Sequence, residues 1–221
     1  MSNTPPFDRD AARAAIIDAT LPHVPFDGWT QGTLQQGAQD AGFEKVTALR
    51  VFPGGPVEAV EFWSQLADRR MLAALEQRDL AAMKVRDRVA TAIRVRLEQT
   101  AAHREAVRRA FALLAMPLNA GKGPVLLWRT VDAIWYAAGD KATDFNYYSK
   151  RGLLAGVYGA TVLYWLEDRS EGFANTWSFL DRRIGEVLRV PQAIGALRKR
   201  LGALPTPFSI LRGGPFGRRS A

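Results

Sequence analysis

Residues 79–101 read DLAAMKVRDRVATAIRVRLEQTA, and apolar side chains recur in this stretch at every fourth position. Residues four apart lie one above the other on an α-helix, so the series forms a single apolar face; its members are Val85, Val89, Ile93 and Leu97. The other faces carry Arg86, Arg88, Arg94 and Arg96. The pattern predicts an amphipathic surface helix that begins after Asp79, a candidate N-cap residue.

The rest of the chain shows helical periodicity as well, and it contains no alternating β-branched run of strand length. Proline and glycine clusters separate the helical segments. We therefore predict an all-α protein with helices over 8–20, 30–40, 45–52, 56–76, 79–101, 103–116, 124–138, 144–167, 172–189 and 191–204. Pro124 and Pro191 suit a first helical position, where the missing amide hydrogen costs nothing. Thr143 and Asp144 are candidate caps for the helix that enters at Phe145.

The 221 residues are 48% hydrophobic and 24% charged, which fits one folded core, or two at most. The chain has no cysteine, which excludes a disulfide framework, a thiolate metal site and a cysteine nucleophile. The first ten residues lack an apolar stretch, so we expect no signal peptide. The longest uncharged apolar run, 153–166, is shorter than the roughly 18 residues that a membrane-spanning helix needs.

The net charge of +8 is distributed unevenly. Residues 1–60 hold four basic and seven acidic side chains, whereas residues 191–221 hold six basic and none acidic. The first helices have helix-turn-helix proportions, but a DNA-reading domain needs a basic face for phosphate contacts. The segment that would read DNA, around the helix predicted over 45–52, offers only Lys45 and Arg50, and its apolar residues resemble packing residues; these are Phe43, Val46, Leu49 and Val51. We predict that residues 1–55 form a scaffold segment that binds no nucleic acid.

Motifs that carry catalysis or metal binding are missing from the sequence. The two histidines, His23 and His103, have no companion at metal-ligand spacing, so we predict no metal site. Glu167 and Asp168 are the nearest pair of carboxylates, but adjacent residues at a helix end point in different directions. They favour a turn before Gly172 over catalysis. We predict a binding protein that is not an enzyme and needs no cofactor.

Eleven of the 22 aromatic residues lie between Trp128 and Trp177. A filled core and a large apolar ligand pocket would both need them, so composition does not separate the two. If a pocket exists, large apolar residues of the central helices are the candidates to line it. These candidates are Phe111, Leu114, Trp128, Val131, Trp135, Leu154, Val157, Tyr158 and Trp177.

Residues 135–151 read WYAAGDKATDFNYYSKR. The Gly-Asp turn, the Thr-Asp-Phe-Asn-x-Tyr core and the basic pair closely resemble the hallmark of the accessory lipid-binding family of ubiquinone biosynthesis. Proteins of this family partner the demethoxyubiquinone hydroxylase. A later block at 176–183, with Thr-Trp-x-Phe-Leu-x-Arg-Arg, also matches. The likeness covers roughly residues 8–190 and is strongest from 128 to 183.

The resemblance implies a Tet-repressor-like fold that has lost DNA binding, a homodimer, and a helical body over 56–190 that holds an isoprenoid or a quinone precursor. It also implies that a surface patch of Asp144, Asn146, Tyr147 and Tyr148 contacts the hydroxylase. Members often have tryptophan at the position of Tyr147, so a smaller contact is expected here. Two alternatives stay open: a ligand-responsive transcription regulator of the Tet-repressor type, and an enzyme that acts on the lipid.

The segment 191–204 forms a narrow apolar stripe when it is projected as a helix. The stripe contains Ile194, Leu197, Leu201 and Leu204, with Arg198 and Arg200 on its flanks and Lys199 opposite. This pattern is typical of a helix lying on an anionic membrane surface, although a helix docked on its own domain would show it too. For residues 191–221 we predict a membrane-contacting helix and a flexible tail. The protein would then be cytoplasmic and peripheral at the inner face of a bacterial membrane.

Overall fold

The computed structural model describes residues 8–140 and 145–187, with side chains from Tyr148 onward in the second range. These residues form helices joined by turns and contain no strand, which confirms the all-α class. The helices are α1 (Arg9–Thr20), α2 (Val24–Asp27), α3 (Gln31–Asp40), α4 (Lys45–Val51), α5 (Gly55–Glu76), α6 (Val85–Glu98), α7 (Arg104–Leu114), α8 (Lys122–Ala137), α9 (Phe145–Glu167) and α10 (174–187). Single 3-10 turns, Ala101–His103 and Glu171–Phe173, precede α7 and α10.

Most helix boundaries agree with the prediction, but the start of α6 does not. This helix begins at Val85, and Asp79 accepts a hydrogen bond from the Ala82 amide at 3.3 Å, closing a separate turn. Pro124 is the third residue of α8, where the first was predicted. The short helix α2 lies between the helices predicted over 8–20 and 30–40, where no helix was predicted. Thr143, Asp144, Pro191 and the helix predicted over 191–204 lie outside the described residues.

The faces of α6 also differ from the prediction at two positions. Arg96, expected on a solvent face, is buried between α5 and α8, whereas Val85 from the predicted apolar series is 49% exposed. Arg96 lies inside because Asp68 of α5 supplies a carboxylate at 2.8 Å. A buried charge is tolerated when it is paired and hydrogen-bonded in this way.

Two clusters of buried apolar residues form the core, and helix α5 contributes to both. The first cluster joins α1–α4 to the first half of α5 and to α7; the Trp29 indole donates to the Ala106 carbonyl at 3.0 Å. The second cluster contains side chains from the end of α5 and from α6, α8, α9 and α10. With 22 residues α5 is about 33 Å long and ties the N-terminal helices to the body. The domain boundaries at 55 and 190 stay predictions.

The helix-turn-helix arrangement depends on close contact between α1 and α3. A Cβ atom at Gly37 would lie 2.0 Å from the Thr20 hydroxyl oxygen, so no larger residue fits there. In α4, Val51 is buried as expected, but Val46 and Leu49 are exposed, and the expectation that they pack is wrong. They lie on the outward side of a short helix that buries only Ala48 and Val51.

No helix in the described part of the chain combines the length and the apolar character needed to cross a membrane.

Candidate functional site

A cavity of about 380 Å³, here called the main cavity, lies among α5, α6, α7, α8 and α9. Most of its wall is apolar, with Val60, Leu97 and Val162 among the lining residues. Three of the predicted lining residues, Phe111, Leu114 and Tyr158, are on this wall. Its volume is at the lower end of the roughly 300–1,000 Å³ of small-molecule sites, so it would hold only part of a long lipid.

The main cavity reaches the protein surface between the end of α7 and the start of α8. Phe111 and Pro124 line the cavity and are also exposed to solvent. Nearby along the chain, Met116 is 54% exposed, Leu118 is 97% exposed and Val125 is 50% exposed. We call these five residues the mouth. Exposed apolar side chains close together in sequence at a cavity opening indicate a contact surface.

One part of the wall is polar and centres on Arg96. Its Nε donates to Asp68 Oδ1 at 2.8 Å, and Nη2 donates to the Ser64 carbonyl at 3.3 Å. The Thr130 hydroxyl lies 3.0 Å from both carboxylate oxygens of Asp68. Arg96, Ser64, Thr130 and Tyr158 all line the main cavity, and we call these four residues the polar wall.

Burial and neighbouring side chains set the protonation states of the groups at the polar wall. Burial disfavours the charge of Arg96, but nearby Tyr158 and Asp68 hold its pKa above the ordinary value. Burial raises the pKa of the Asp68 carboxyl, while Arg96 and Thr130 act in the opposite direction. Burial also raises the pKa of the Tyr158 hydroxyl. At neutral pH Tyr158 therefore carries its proton and Arg96 its charge.

A second cavity of about 290 Å³ lies between α6, the adjoining ends of α8 and α9, and α10. Trp135, Leu154 and Val157 line it, so three more of the predicted residues face this space. Val157 and Tyr158 are neighbours in sequence, yet they border different cavities.

The remaining three predicted residues lie on neither cavity wall. Val131 is wholly buried in the second core cluster. Trp177 donates to the Gly172 carbonyl at 2.7 Å and packs beneath Arg94. Trp128 stacks on Tyr148, with ring centroids 6.3 Å apart.

The Gly-Asp turn and the basic pair of the 135–151 motif form one ion-pair network. Arg151 donates to Asp132 at 2.6 Å and to Asp140 at 3.2 Å, and Lys150 donates to Asp140 at 2.8 Å. Gly139 adopts a φ of +84° and ends α8, and the Asp140 amide bonds back to the Trp135 carbonyl at 3.0 Å. The network fixes the start of α9 against the end of α8.

Of the four residues predicted to contact a partner, only Tyr148 has a described side chain. It is 64% exposed at the start of α9, beside Trp128. Asp144 lies outside the described residues, and Asn146 and Tyr147 are described only as backbone of α9. The membrane-contacting residues predicted over 191–204 also lie outside.

Glu167 and Asp168 have separate structural roles. Asp168 accepts hydrogen bonds from the amides and hydroxyls of Ser170 and Thr176, at 2.6–2.9 Å, and so closes the turn before α10. Burial would raise the pKa of Asp168, but these hydrogen bonds hold it well below its usual range. Glu167 pairs with Arg108 at the surface. The predicted turn before Gly172 is confirmed, and no cluster of three possible metal ligands occurs in the part of the chain that is described.

The described residues form a helical body with an apolar cavity, in which the ion pairs of the 135–151 motif join α8 to α9. Known proteins are similar to the chain in sequence. The COQ9 family model matches residues 120–191, which include α8, α9 and α10. "Ubiquinone biosynthesis protein COQ9, mitochondrial" from Drosophila melanogaster is 35% identical over 82% of this chain and 56% of that protein. The Schizosaccharomyces pombe protein of the same name is 30% identical over 78% of this chain and 68% of its own length. The chain belongs to the COQ9 family.

Membership confirms the family that the 135–151 motif predicted. The Homo sapiens COQ9 protein is 31% identical over 79% of this chain and 57% of that protein. This chain therefore spans little more than half the length of the animal COQ9 proteins. All three relatives are named as mitochondrial proteins of ubiquinone biosynthesis.

The fold also has a match of known structure. A TetR transcriptional regulator from Nitrosomonas europaea superposes with a TM-score of 0.66 at 21% identity, over 80% of this chain and 98% of that chain. The likeness confirms the Tet-repressor-like fold; at this identity it says nothing about function.

Proposed function

We propose that this COQ9-family chain is a non-catalytic lipid-binding protein of ubiquinone biosynthesis that presents a polyprenyl quinone intermediate to the demethoxyubiquinone hydroxylase. The main cavity is the observation that carries the proposal. Its wall is largely apolar, it opens at an apolar mouth, and it lies in the body of a protein whose relatives are named for ubiquinone biosynthesis. Such a pocket suits a hydrophobic ligand with a few polar atoms.

The state of Asp68 supports a binding role over a catalytic one. A general base needs a carboxylate within reach of its substrate. The Asp68 carboxylate instead accepts hydrogen bonds from Arg96 and Thr130, and Asp68 is not among the residues that line the cavity.

Identification of co-purified lipid tests the proposal directly. The full chain, purified without detergent, should yield an isoprenoid quinone precursor on mass spectrometry of its organic extract. Phe26→Ala, a substitution at an exposed residue of α2 that is not part of the cavity wall, should retain the same lipid. An extract without isoprenoid from a folded protein would contradict the proposed function.

The patch at the start of α9 is the proposed contact with the hydroxylase, through Asp144, Asn146, Tyr147 and Tyr148. Two observations support it. The ion pairs of Arg151 fix the start of α9 against the end of α8, and Tyr148 presents an exposed ring beside Trp128. Exposed aromatic side chains on a fixed backbone are common among the residues that dominate binding energy.

Replacing Tyr148 with alanine is expected to weaken binding to the purified hydroxylase at least about tenfold, because a contact ring of this kind contributes on the order of 2 kcal/mol. Calorimetry or a surface-immobilised partner would measure the dissociation constant. Phe26→Ala is the matched control, since Phe26 is an exposed ring (84%) on α2, among the N-terminal helices. Equal affinity for Tyr148→Ala and the unchanged chain would remove this residue from the contact.

Two further elements of the proposal concern surfaces. The segment 191–204 would rest on an anionic membrane, which makes the protein peripheral at the inner face of a bacterial membrane; the relatives' names place those proteins in mitochondria. A second copy of the chain would cover the outer face of α9. Gly152 and Gly156 leave room for close approach there, and Leu163 is 60% exposed.

A further inference from the structure

Three hydrogen-bond donors on the wall of the main cavity have no acceptor among the described residues. Arg96 uses Nε and Nη2 for Asp68 and Ser64, which leaves Nη1. The Tyr158 hydroxyl makes no hydrogen bond within the described part, although the residue is only 8% exposed. Trp165 is wholly buried, and its Nε1 also lacks an acceptor there. All three residues line the cavity.

These donors define the chemistry of the group that would complete the site. A ligand that fills the cavity displaces water from these donors, and a hydrocarbon chain would leave them without an acceptor, which is costly. Arg96 and Trp165 can only donate, and Tyr158 keeps its proton because burial raises its pKa. The complementary ligand group therefore carries acceptor oxygens, as the carbonyl oxygens of a quinone do.

The polar wall lies deeper in the body than the mouth. Thr130 follows Pro124 by six residues on α8, which corresponds to about 9 Å along the helix axis. Pro124 is exposed, whereas Thr130 is 2% exposed. A lipid that enters at the mouth reaches the polar wall with its leading end. The limited volume of the cavity leaves the rest of the molecule outside.

We propose that the main cavity takes its lipid head group first, with acceptor oxygens of a quinone-type ring bound by Arg96, Tyr158 and Trp165 and the isoprenoid tail leaving through the mouth. The inference rests on the proposed function and adds the orientation and the chemical class of the head group. In this orientation the apolar mouth faces the part of the lipid that remains in the membrane. The protein then takes the quinone ring out of the membrane, while the isoprenoid tail stays in the membrane and is not exposed to water.

Paired ligands test the orientation on the full chain. One probe is a ubiquinone with two isoprene units, and the other is farnesene, an isoprenoid hydrocarbon without oxygen. Tyr158→Phe removes one donor and little volume, so it should raise the dissociation constant for the quinone about five- to tenfold, the effect of one hydrogen bond. The dissociation constant for farnesene should change less than about twofold on the same grounds. Tyr136→Phe, at an exposed tyrosine on α8, is the matched control.

Each outcome has a definite meaning. A selective loss of quinone binding in Tyr158→Phe supports the head-first orientation, and Trp165→Phe should repeat it with a second donor. An equal change for both probes, or no change for either, would overturn the orientation while leaving lipid binding intact. Failure of the unchanged chain to bind either probe would overturn the proposed function itself.

Discussion

Replacing Gly159 with leucine is expected to reduce the lipid that co-purifies with the protein at least about tenfold. Gly159 lines the main cavity from α9, and no heavy atom outside its own helix backbone and chain neighbours lies within 4 Å of the position that a Cβ atom would occupy. The leucine side chain would extend into open space and take up volume that the ligand needs. The substitution suits the helix, because glycine in a helix interior costs about 0.5–1 kcal/mol relative to alanine.

Ala73→Leu is the control for this substitution. It also places leucine at a small residue within a helix, but Ala73 is an exposed residue of α5 that is not part of the cavity wall. Quantitative mass spectrometry of extracts, normalised to protein, gives the lipid content of each variant. Unchanged lipid in Gly159→Leu would mean that the main cavity is not the binding site. An equal loss in both variants would mean that the effect does not come from the volume of the main cavity.

The family could be predicted from the sequence because its motif has a structural purpose that fixes residue types at a spacing. Asp140, just after α8, pairs with Lys150 and Arg151 of α9, and Gly139 supplies a backbone conformation that other residues avoid. The pairing itself could not be predicted, because residues ten or eleven apart in sequence meet only once α8 and α9 have packed together.

The lining of the cavities was only partly predictable. Size and apolar character select candidates, but they do not specify which way a central helix is rotated. Val157 and Tyr158 therefore border different cavities, and Val131 packs in the core instead. For a helix that is apolar on nearly all sides, periodicity gives no preferred face.

The burial of Arg96 was not predicted, although the sequence contains a signal for it. It follows Ile93 by three residues and Ala92 by four, and so lies on the buried stripe of α6. On α5, Asp68 precedes Met71 by three residues and Leu75 by seven, which places a carboxylate on an apolar face too. Opposite charges on the buried faces of two helices predict an internal ion pair. The prediction considered only the charge of Arg96 and not its position on the helix, and charged residues are mostly exposed to solvent.

Replacing Arg96 with methionine is expected to lower the free energy of unfolding by about 3–5 kcal/mol, because the change leaves Asp68 buried without its cation. Both side chains of the pair are about one-tenth exposed, with Nε and Oδ1 2.8 Å apart. Urea denaturation at neutral pH, followed by circular dichroism, would measure the effect. Arg70→Met is the control: Arg70 pairs with Asp18 at 2.5 Å, but both side chains are nearly half exposed. A pair of that kind contributes less than about 1 kcal/mol.

The double variant Asp68→Leu/Arg96→Met distinguishes the pair's own contribution from the cost of breaking it. Buried ion pairs often add little to stability compared with apolar residues of similar size, so the double variant should recover most of what Arg96→Met loses. A loss in the double variant as large as in the single one would show that the pair itself stabilises the fold. Recovery would mean that stability alone does not account for a charged pair inside an apolar body. The ion pair would then serve binding: Asp68 holds the Arg96 guanidinium in place on the cavity wall as a donor for a ligand with acceptor atoms.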